Sequence, residues 1–422
     1  MPRQKIRSPR DALGQQLVDL LTLGPSELAP GLASLPPERL DAVLEQATAH
    51  GVAPLLRNRL VEQGLFRQLP EAARDALDTQ YQASSVQAMA RYHELGVILE
   101  RCAEADIPVI ALKGIYLAKA VYPEPGLRPM ADMDLLFRVQ DLEAVQTILL
   151  QLGYSREDAD RPISDYLPTW HQLPPFVRAD ATSVEVHMVI ERPQSPFSID
   201  HEGIWKRARS WPLGGRPLLA MAPEDLLLHV CLHAMYHHHG RIPLSALIDI
   251  AWIIKVEPLD WEVLVARAKA WRAPLPTFLG LELARRLLGC VVPERVVAAL
   301  APGKRIEPLL AMSEQTLLAP RTIDRRVDGV KTDRGPMLGY LGRIAQVQEL
   351  PTWNQRLRAL VAKAFPERAA LERQYPKLQR FGLIPPVYLV HWLVVAGRFS
   401  RAMVRNGRYW WTFRNLDRRW LP

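Results

Sequence analysis

Residues Arg128 to Phe137 read Arg-Pro-Met-Ala-Asp-Met-Asp-Leu-Leu-Phe, and from Met133 onward this run is apolar apart from Asp134. The pattern predicts the start of a buried strand in which Asp132 and Asp134 point to the same face. Two carboxylates on one face of an apolar strand repel each other and lose hydration, so a cation is expected between them. Mg²⁺ is the usual choice for carboxylates that act on phosphates. The pair therefore predicts a two-metal site for phosphoryl or nucleotidyl transfer.

The segment before this strand predicts a phosphate-binding turn. Residues 107–112 form a short β-rich run, Lys113-Gly114 interrupts it, and residues 115–121 predict a helix. A glycine turn between a strand and a helix offers backbone N–H groups to phosphate oxygens. Lys113 adds a positive charge at the same place, so Lys113 and Gly114 are the expected contacts of a triphosphate.

A second strand is predicted at residues 183–190, where apolar and polar side chains alternate. Glu185 and His187 lie on one face of this strand. Three carboxylates from adjacent strands can hold two Mg²⁺ ions, and Glu185 is the candidate for the third. His187 is predicted to orient a phosphate or this third carboxylate.

Helical periodicity dominates the chain on both sides of this unit. Residues 1–95 predict an N-terminal helical region and residues 96–215 an α/β core. Residues 216–320 predict a helical domain, and residues 321–422 a linker with a C-terminal helical region. The expected fold class is α+β and predominantly helical, with a small mixed-sheet core flanked by N-terminal and C-terminal helical regions.

The bulk composition limits the class of protein and its partners. A length of 422 residues favours two or three structural units. The formal charge of +8 favours an anionic partner, such as a nucleotide, a nucleic acid or an acidic membrane face. The three cysteines lie far apart without metal-ligand spacing, which favours a reducing, cytoplasmic setting over a disulfide framework.

The basic and aromatic tail from Arg398 to Arg419 leaves its role open. Residues 381–397 carry no formal charge, but two prolines interrupt them, and the remaining helix is too short to span a bilayer. Core packing with a solvated basic end is the default interpretation. Peripheral contact with an acidic membrane surface, at the inner membrane face, is the main alternative. Stacking on single-stranded nucleic acid is a less favoured one.

Three histidines recur at four-residue spacing: His229, His233 and His237. One helix face could carry all three, and His-x₃-His is a usable zinc geometry. However, no acidic residue stands in the pattern of a zinc protease. We therefore favour partly buried or solvated histidines over zinc ligands, and their role stays open.

A series of short motifs follows a fixed order through residues 95–260. The motifs are Leu112-Lys-Gly114, Tyr122, Arg128, Asp132-Met-Asp134-Leu-Leu, Leu152-Gly-Tyr154, His171 and Val184-Glu-Val-His187, with weaker ones at His229, His233, Arg241 and Asp249. In this combination they resemble the bacterial nucleotidyltransferase-like family of the DNA polymerase beta superfamily. Many members of that family are encoded near polysaccharide or peptide natural-product genes.

The resemblance implies Mg²⁺ at Asp132, Asp134 and Glu185 and phosphate at Gly114. The superfamily often has a serine after the glycine, where this chain has Ile115. Aspartate is commoner at the position of Glu185. Without a serine hydroxyl, Lys113 or Arg128 is expected to hold the phosphates instead.

The sequence thus predicts a Mg²⁺-dependent nucleotidyltransferase that moves an NMP group from an NTP to a hydroxyl-type acceptor, in polysaccharide or peptide natural-product biosynthesis. One alternative is a non-catalytic nucleotide-binding or scaffold protein of the same fold. Another is a nucleic-acid-binding or modifying protein. Neither the acceptor nor the base of the NTP, ATP or another, can be read from the sequence, and the oligomeric state is open.

Overall fold

The computed structural model describes residues 11–332, apart from residues 34, 159, 180, 194, 238–241, 303–305, 322 and 325–330. The described residues before 303 and after 309 belong to one compact unit. A second unit, formed by Lys304–Leu309 and Arg334–Pro422, lies almost entirely outside the described residues, and so does the basic and aromatic tail. The four-part division of the chain stays a prediction.

Helices make up most of the described chain, as the sequence predicts. They are α1 (Asp11–Thr22), α2 (Pro25–Ala33), α3 (Pro37–Ala49), α4 (Ala53–Glu62), α5 (Glu71–Glu104), α6 (Lys113–Tyr116), α7 (Leu142–Gln151), α8 (His201–Arg207), α9 (Pro223–Leu232), α10 (Leu244–Val256), α11 (Trp261–Ala270), α12 (Pro274–Leu288), α13 (Glu294–Leu300) and α14 (Glu307–Leu318). Helices α6 and α9 continue into π-helical turns, Leu117–Val121 and His233–His237. Among the helices described, none is long and apolar enough to cross a membrane.

The described strands are short. They are β1 (Ile110–Ala111), β2 (Asp132–Leu136), β3 (Ser155–Arg156), β4 (Phe176–Val177), β5 (Ser183–His187), β6 (Arg209–Ser210), β7 (Leu219–Ala220), β8 (Ile323–Asp324) and β9 (Lys331–Thr332). Seven of them form one sheet in the order β3-β4-β5-β2-β1-β7-β6. β2 is parallel to β5 and β1 to β7, whereas the other pairs are antiparallel. The predicted α+β class, predominantly helical with a small mixed sheet, is confirmed.

One face of the two central strands is apolar and buried. Met133 pairs with Val184 and Leu135 with Val186, and all four side chains are fully buried. Full burial of an aliphatic side chain stabilises by about 1.5–3 kcal/mol. A slip of either strand by one residue would move its apolar pair off the core face. The apolar face therefore fixes the acidic residues on the opposite face of both strands.

The turn after β1 differs from the prediction. β1 spans two residues, and α6 begins at Lys113, so Gly114 lies in the first turn of the helix. The Leu112 N–H still donates to the Asp134 carbonyl at 3.0 Å, and the next residue, Lys113, has a φ of +35°. A non-glycine residue in this left-handed region costs roughly 1–3 kcal/mol. This strained conformation lets the chain turn from β1 into α6 within one residue.

Helix α5 runs beside the central strands and has 34 residues. It approaches the 3₁₀ turn Pro125–Leu127 closely, since a Cβ on Gly126 would lie 3.0 Å from the Ser85 Cα. Further along α5, the Tyr92 hydroxyl donates to the Ile115 carbonyl at 2.8 Å. These contacts hold the middle of α5 next to α6 and the 3₁₀ turn.

Candidate active site

The parallel pairing of β2 and β5 builds an acidic face. Asp134 stands directly opposite Glu185, and Asp132 stands opposite Ser183. In a parallel pair, partners at the same level point to the same side of the sheet. Asp132, Asp134 and Glu185 therefore share one face, as do Glu185 and His187 on β5. Their roles stay predictions.

Asp134 is the most enclosed carboxylate of this face, with its residue 5% exposed. Its Oδ1 accepts hydrogen bonds from His187 Nε2 at 2.8 Å and from Lys113 Nζ at 3.3 Å. Burial alone would raise the pKa of Asp134, but the Lys113 ammonium and the His187 hydrogen bond outweigh it and hold the pKa well below its usual value. Asp134 is therefore ionised in the folded protein.

His187 is fully buried against these carboxylates. Burial lowers its pKa, but the hydrogen bond to Asp134 and the nearby Glu185 carboxylate outweigh burial and leave the pKa raised. Its Nε2 lies 3.7 Å from Glu185 Oε2, and the His171 ring lies 5.4 Å away between centroids. His187 thus lies close to both carboxylates, and its orienting role stays a prediction.

One group of side chains in the described part of the chain is close enough to hold a metal ion. It consists of Asp134, Glu185 and His187, whose ligand atoms all lie within 4.8 Å of one another. Two carboxylates and an imidazole suit a divalent cation. The predicted set had Asp132 in place of His187, and Asp132 is not part of this group.

Asp132 lies two residues before Asp134 on the same face. Burial and the charges of Asp134 and Glu185 raise the pKa of Asp132 to about 6, although Lys113 and Arg128 act in the opposite direction. A carboxyl group with such neighbours is stabilised in its ionised form by a nearby cation. The acidic face therefore fits a divalent cation on electrostatic grounds as well as by its donor atoms.

The Gly114 position is crowded rather than flexible. A Cβ at Gly114 would lie 2.9 Å from Arg128 Nη1 and 3.3 Å from Met130 Cγ. Glycine lets the first turn of α6 approach the Arg128 guanidinium, which the sequence predicted as a phosphate contact. Ile115, which follows, is fully buried and offers no polar side-chain group to this turn.

Arg128 is held by an acid that the sequence did not assign to the site. Its Nε and Nη2 donate to the two oxygens of Asp249 at 2.8 and 2.7 Å, and the Tyr122 hydroxyl donates to the same carboxylate at 2.8 Å. The Asp249 carboxylate and the Arg128 hydrogen bonds raise the pKa of Arg128 even though burial lowers it. This pairing fixes the guanidinium and leaves Nη1 beside Gly114.

Two further residues interact with the acidic face from helices. His229 on α9 is buried, and its electrostatic interaction with Asp134 contributes to the low pKa of that carboxyl group. Its ring lies 6.5 Å from that of His233 between centroids. Arg91 on α5 interacts electrostatically with Asp132. The four-residue spacing had drawn attention to His229, but no local pattern indicated Arg91.

A family model described as an uncharacterised nucleotidyltransferase matches residues 36–289. The solution structure of the antibiotic-resistance factor ANT(2″)-Ia matches with 16% identity and a TM-score of 0.32, over 47% of this chain and 98% of that one. The crystal structure of ANT(2″)-Ia in complex with adenylyl-2″-tobramycin matches with 15% identity and a TM-score of 0.31, over 43% and 97% of the two chains.

A third solved structure is that of an antigenic nucleotidyltransferase-like protein from Paracoccidioides brasiliensis. It matches with 16% identity and a TM-score of 0.31, over 50% of this chain and 98% of that one. The comparison with curated proteins gave no match.

Proposed function

This chain belongs to the family of uncharacterised nucleotidyltransferases whose model matches residues 36–289, and we propose that it moves an NMP group from an NTP to a hydroxyl-type acceptor with the help of Mg²⁺. The observation that carries this proposal is the register of β2 and β5, which sets Asp134 opposite Glu185. Paired carboxylates on adjacent strands are suited to hold divalent cations at a reacting phosphate.

The acidic face would hold the cation through Asp134 and Glu185, with His187 beside them and Asp132 at its edge. We propose that two Mg²⁺ ions bind at this face. Bound Mg²⁺ would neutralise charge on the triphosphate and on the attacking oxygen. Glu185 has a side chain 22% exposed, against 7% for Asp134, so Glu185 is the acid of this pair that an incoming acceptor hydroxyl would meet.

The triphosphate would lie against the first turn of α6. Lys113 Nζ bonds Asp134 at 3.3 Å, a long contact that leaves its other N–H groups for a phosphate oxygen. Arg128 Nη1 stands beside Gly114 and takes no part in the bonds to Asp249. Positioning and charge neutralisation are the main requirements of this reaction, and these two cations provide both.

The test is the release of pyrophosphate from an NTP in the presence of Mg²⁺ and a panel of acceptors. Asp134→Asn keeps the size of the side chain and its ability to accept a hydrogen bond but removes the charge. We expect it to lower the rate by about 10²-fold or more. Asp75→Asn, at an exposed site on α5, is the matched control and should retain full activity. A folded Asp134→Asn variant with the wild-type rate would refute the proposal.

One observation favours a second candidate, a non-catalytic nucleotide-binding or scaffold protein. Ile115 replaces the serine that often follows the glycine, and its side chain is fully buried. Mg²⁺-dependent nucleotide binding without pyrophosphate release across the acceptor panel would support this candidate over the enzyme.

The remaining expectations about partners and location rest on the sequence alone. They are a cytoplasmic location, peripheral contact of the basic and aromatic tail with an acidic membrane surface, and nucleic-acid binding as the less favoured alternative. The membrane and nucleic-acid expectations concern residues 381–422, which lie outside the described part of the chain.

A further inference from the structure

A pocket lined by several charged side chains opens between α5 and the connection that joins β4 to β5. Its volume is about 390 Å³. The polar side chains that line it are Gln87, Arg91, His93, Glu94, Arg178 and Thr182. The mechanism proposed above uses none of them.

Arg91 is the unusual member of this lining. The residue is 9% exposed, and its Nε is buried without a hydrogen-bond partner among the described residues. The one hydrogen bond seen for its guanidinium there is a long contact of 3.4 Å from Nη1 to Gln87 Oε1. An arginine keeps its charge in a protein, and leaving a buried N–H donor of this group without an acceptor is costly. The geometry therefore calls for an anion beside Arg91.

Glu94 and Asp132 attract Arg91, but neither forms an ion pair with it in the described structure. Glu94 attracts Arg91 electrostatically, but its two oxygens already accept from Arg178 Nη2 at 2.7 Å and from the Thr182 N–H at 3.0 Å. Asp132 attracts Arg91 as well, yet no ion pair between them is formed in the described structure. Glu94 thus joins α5 to the connection between β4 and β5, and the Arg91 guanidinium can bind a ligand in the pocket.

The pocket is next to the acidic face. Thr182 directly precedes β5, and the first residue of β5, Ser183, pairs with Asp132. Lys113 bonds Asp134, two residues further along β2. An anion at Arg91 would therefore lie at the Asp132 end of the face, whereas the triphosphate proposed above lies at the Asp134 end.

We propose that this pocket binds an anionic group, a phosphate or a carboxylate, carried by the acceptor, and that Arg91 is its main ligand. The assignment to the acceptor rests on the proposed nucleotidyl transfer, whereas the anion site itself does not. Arg91 would then select acceptors whose anion holds the hydroxyl group beside Asp132. The other source of the same chemistry is the triphosphate of the nucleotide, and the experiment separates the two.

The probe is inorganic phosphate, titrated by calorimetry into the full chain without nucleotide. We expect Arg91→Gln to weaken phosphate binding about tenfold or more, since it removes charge-assisted hydrogen bonds. Arg101→Gln is the matched control, because Arg101 lies on the same helix with its side chain 45% exposed in a pair with Glu104. It should leave the affinity within about twofold. Equal phosphate affinities of wild type and Arg91→Gln would overturn the proposal.

A second titration uses protein saturated with Mg²⁺ and a non-hydrolysable NTP. Phosphate should still bind this complex, and Arg91→Gln should leave the affinity for the NTP unchanged. Displacement of phosphate by the NTP, or a tenfold loss of NTP affinity in Arg91→Gln, would assign Arg91 to the triphosphate and overturn the acceptor site. A cooperative thermal transition of Arg91→Gln, with a melting temperature close to that of wild type, shows that the variant is folded.

The two proposals fail in different ways. If the wild-type protein binds no NTP, the nucleotidyl transfer fails and the acceptor assignment fails with it, while phosphate binding that depends on Arg91 still establishes an anion site. If the NTP binds and reacts but the phosphate affinity is the same in Arg91→Gln, the nucleotidyl transfer is supported and the anion site is refuted.

Discussion

Replacing Asp249 with alanine is expected to destabilise the protein strongly, because this carboxylate is the buried partner of Arg128. The substitution removes three hydrogen bonds at once: two from the guanidinium, at 2.8 and 2.7 Å, and one from the Tyr122 hydroxyl at 2.8 Å. It leaves a guanidinium charge in a site where the Arg128 side chain is 16% exposed and the Asp249 side chain was 6% exposed.

The size of the effect follows from the unpaired charge. Removing one partner of a buried ion pair typically costs about 3–5 kcal/mol. The remaining exposure of Arg128 lets some water reach the charge, so we expect the lower part of this range, about 3–4 kcal/mol. Replacing both partners, in Arg128→Met with Asp249→Leu, should recover most of the loss, since no buried charge then remains.

The assay is equilibrium unfolding in urea, followed by far-ultraviolet circular dichroism. Asp78→Ala is the matched control, because Asp78 pairs with Arg57 at 2.7 Å but the two side chains are 36% and 24% exposed. A pair this exposed contributes about 0–1 kcal/mol. A loss in Asp249→Ala no larger than in Asp78→Ala would refute the reasoning. So would a double variant that is no more stable than Asp249→Ala alone.

Gly114→Ala should destabilise the protein by about 1–3 kcal/mol and weaken NTP binding, because the new Cβ would lie 2.9 Å from Arg128 Nη1, which cannot move freely. Gly24→Ala, where no atom lies within 4 Å of the added Cβ, is its control in the same urea and calorimetry series, and equal behaviour of the two variants would count against a crowded Gly114. A further prediction concerns His50. Burial and the Arg321 charge lower the pKa of His50 from 6.5 to about 3. Its Nδ1 accepts a hydrogen bond from the Leu244 N–H at 3.0 Å. The unfolded chain binds the proton more tightly, so the stability present above pH 6.5 is lost as the pH falls towards 3. Between pH 7 and pH 5 wild type should lose about 2 kcal/mol more than His50→Gln, and parallel pH profiles of the two proteins would contradict this.

The sequence predicted the elements that carry local patterns. The strands around Asp132 and Glu185 and the helices on both sides of the α/β core agree with the expected periodicities. The two-residue strands β3, β6 and β7 were not predicted, since two residues show no alternation of apolar and polar side chains. The sequence predicted the position of the Lys113-Gly114 turn but not its conformation. That conformation depends on the pairing of β1 with β2.

The candidate site was predicted only in part. Asp134, Glu185 and His187 stand together because alternate residues on a strand share a face, which the sequence shows directly. The roles of Arg91 and Asp249 have no such local signal. Arg91 lies on a helix far from the acidic strands in sequence, and Asp249 is 121 residues from Arg128.

The amino-acid sequence by itself determined which side chains can share a face, because this property follows from the geometry of two or three consecutive residues. It therefore determined the acidic pair Asp132 and Asp134 and the class of fold. The register that sets Asp134 opposite Glu185 and the pairing of Asp249 with Arg128 became visible in the tertiary structure alone. The tertiary structure alone also left the Arg91 Nε buried without a hydrogen-bond partner among the described residues. Register and long-range pairing depend on which apolar faces are buried together, and no short stretch of sequence contains that information.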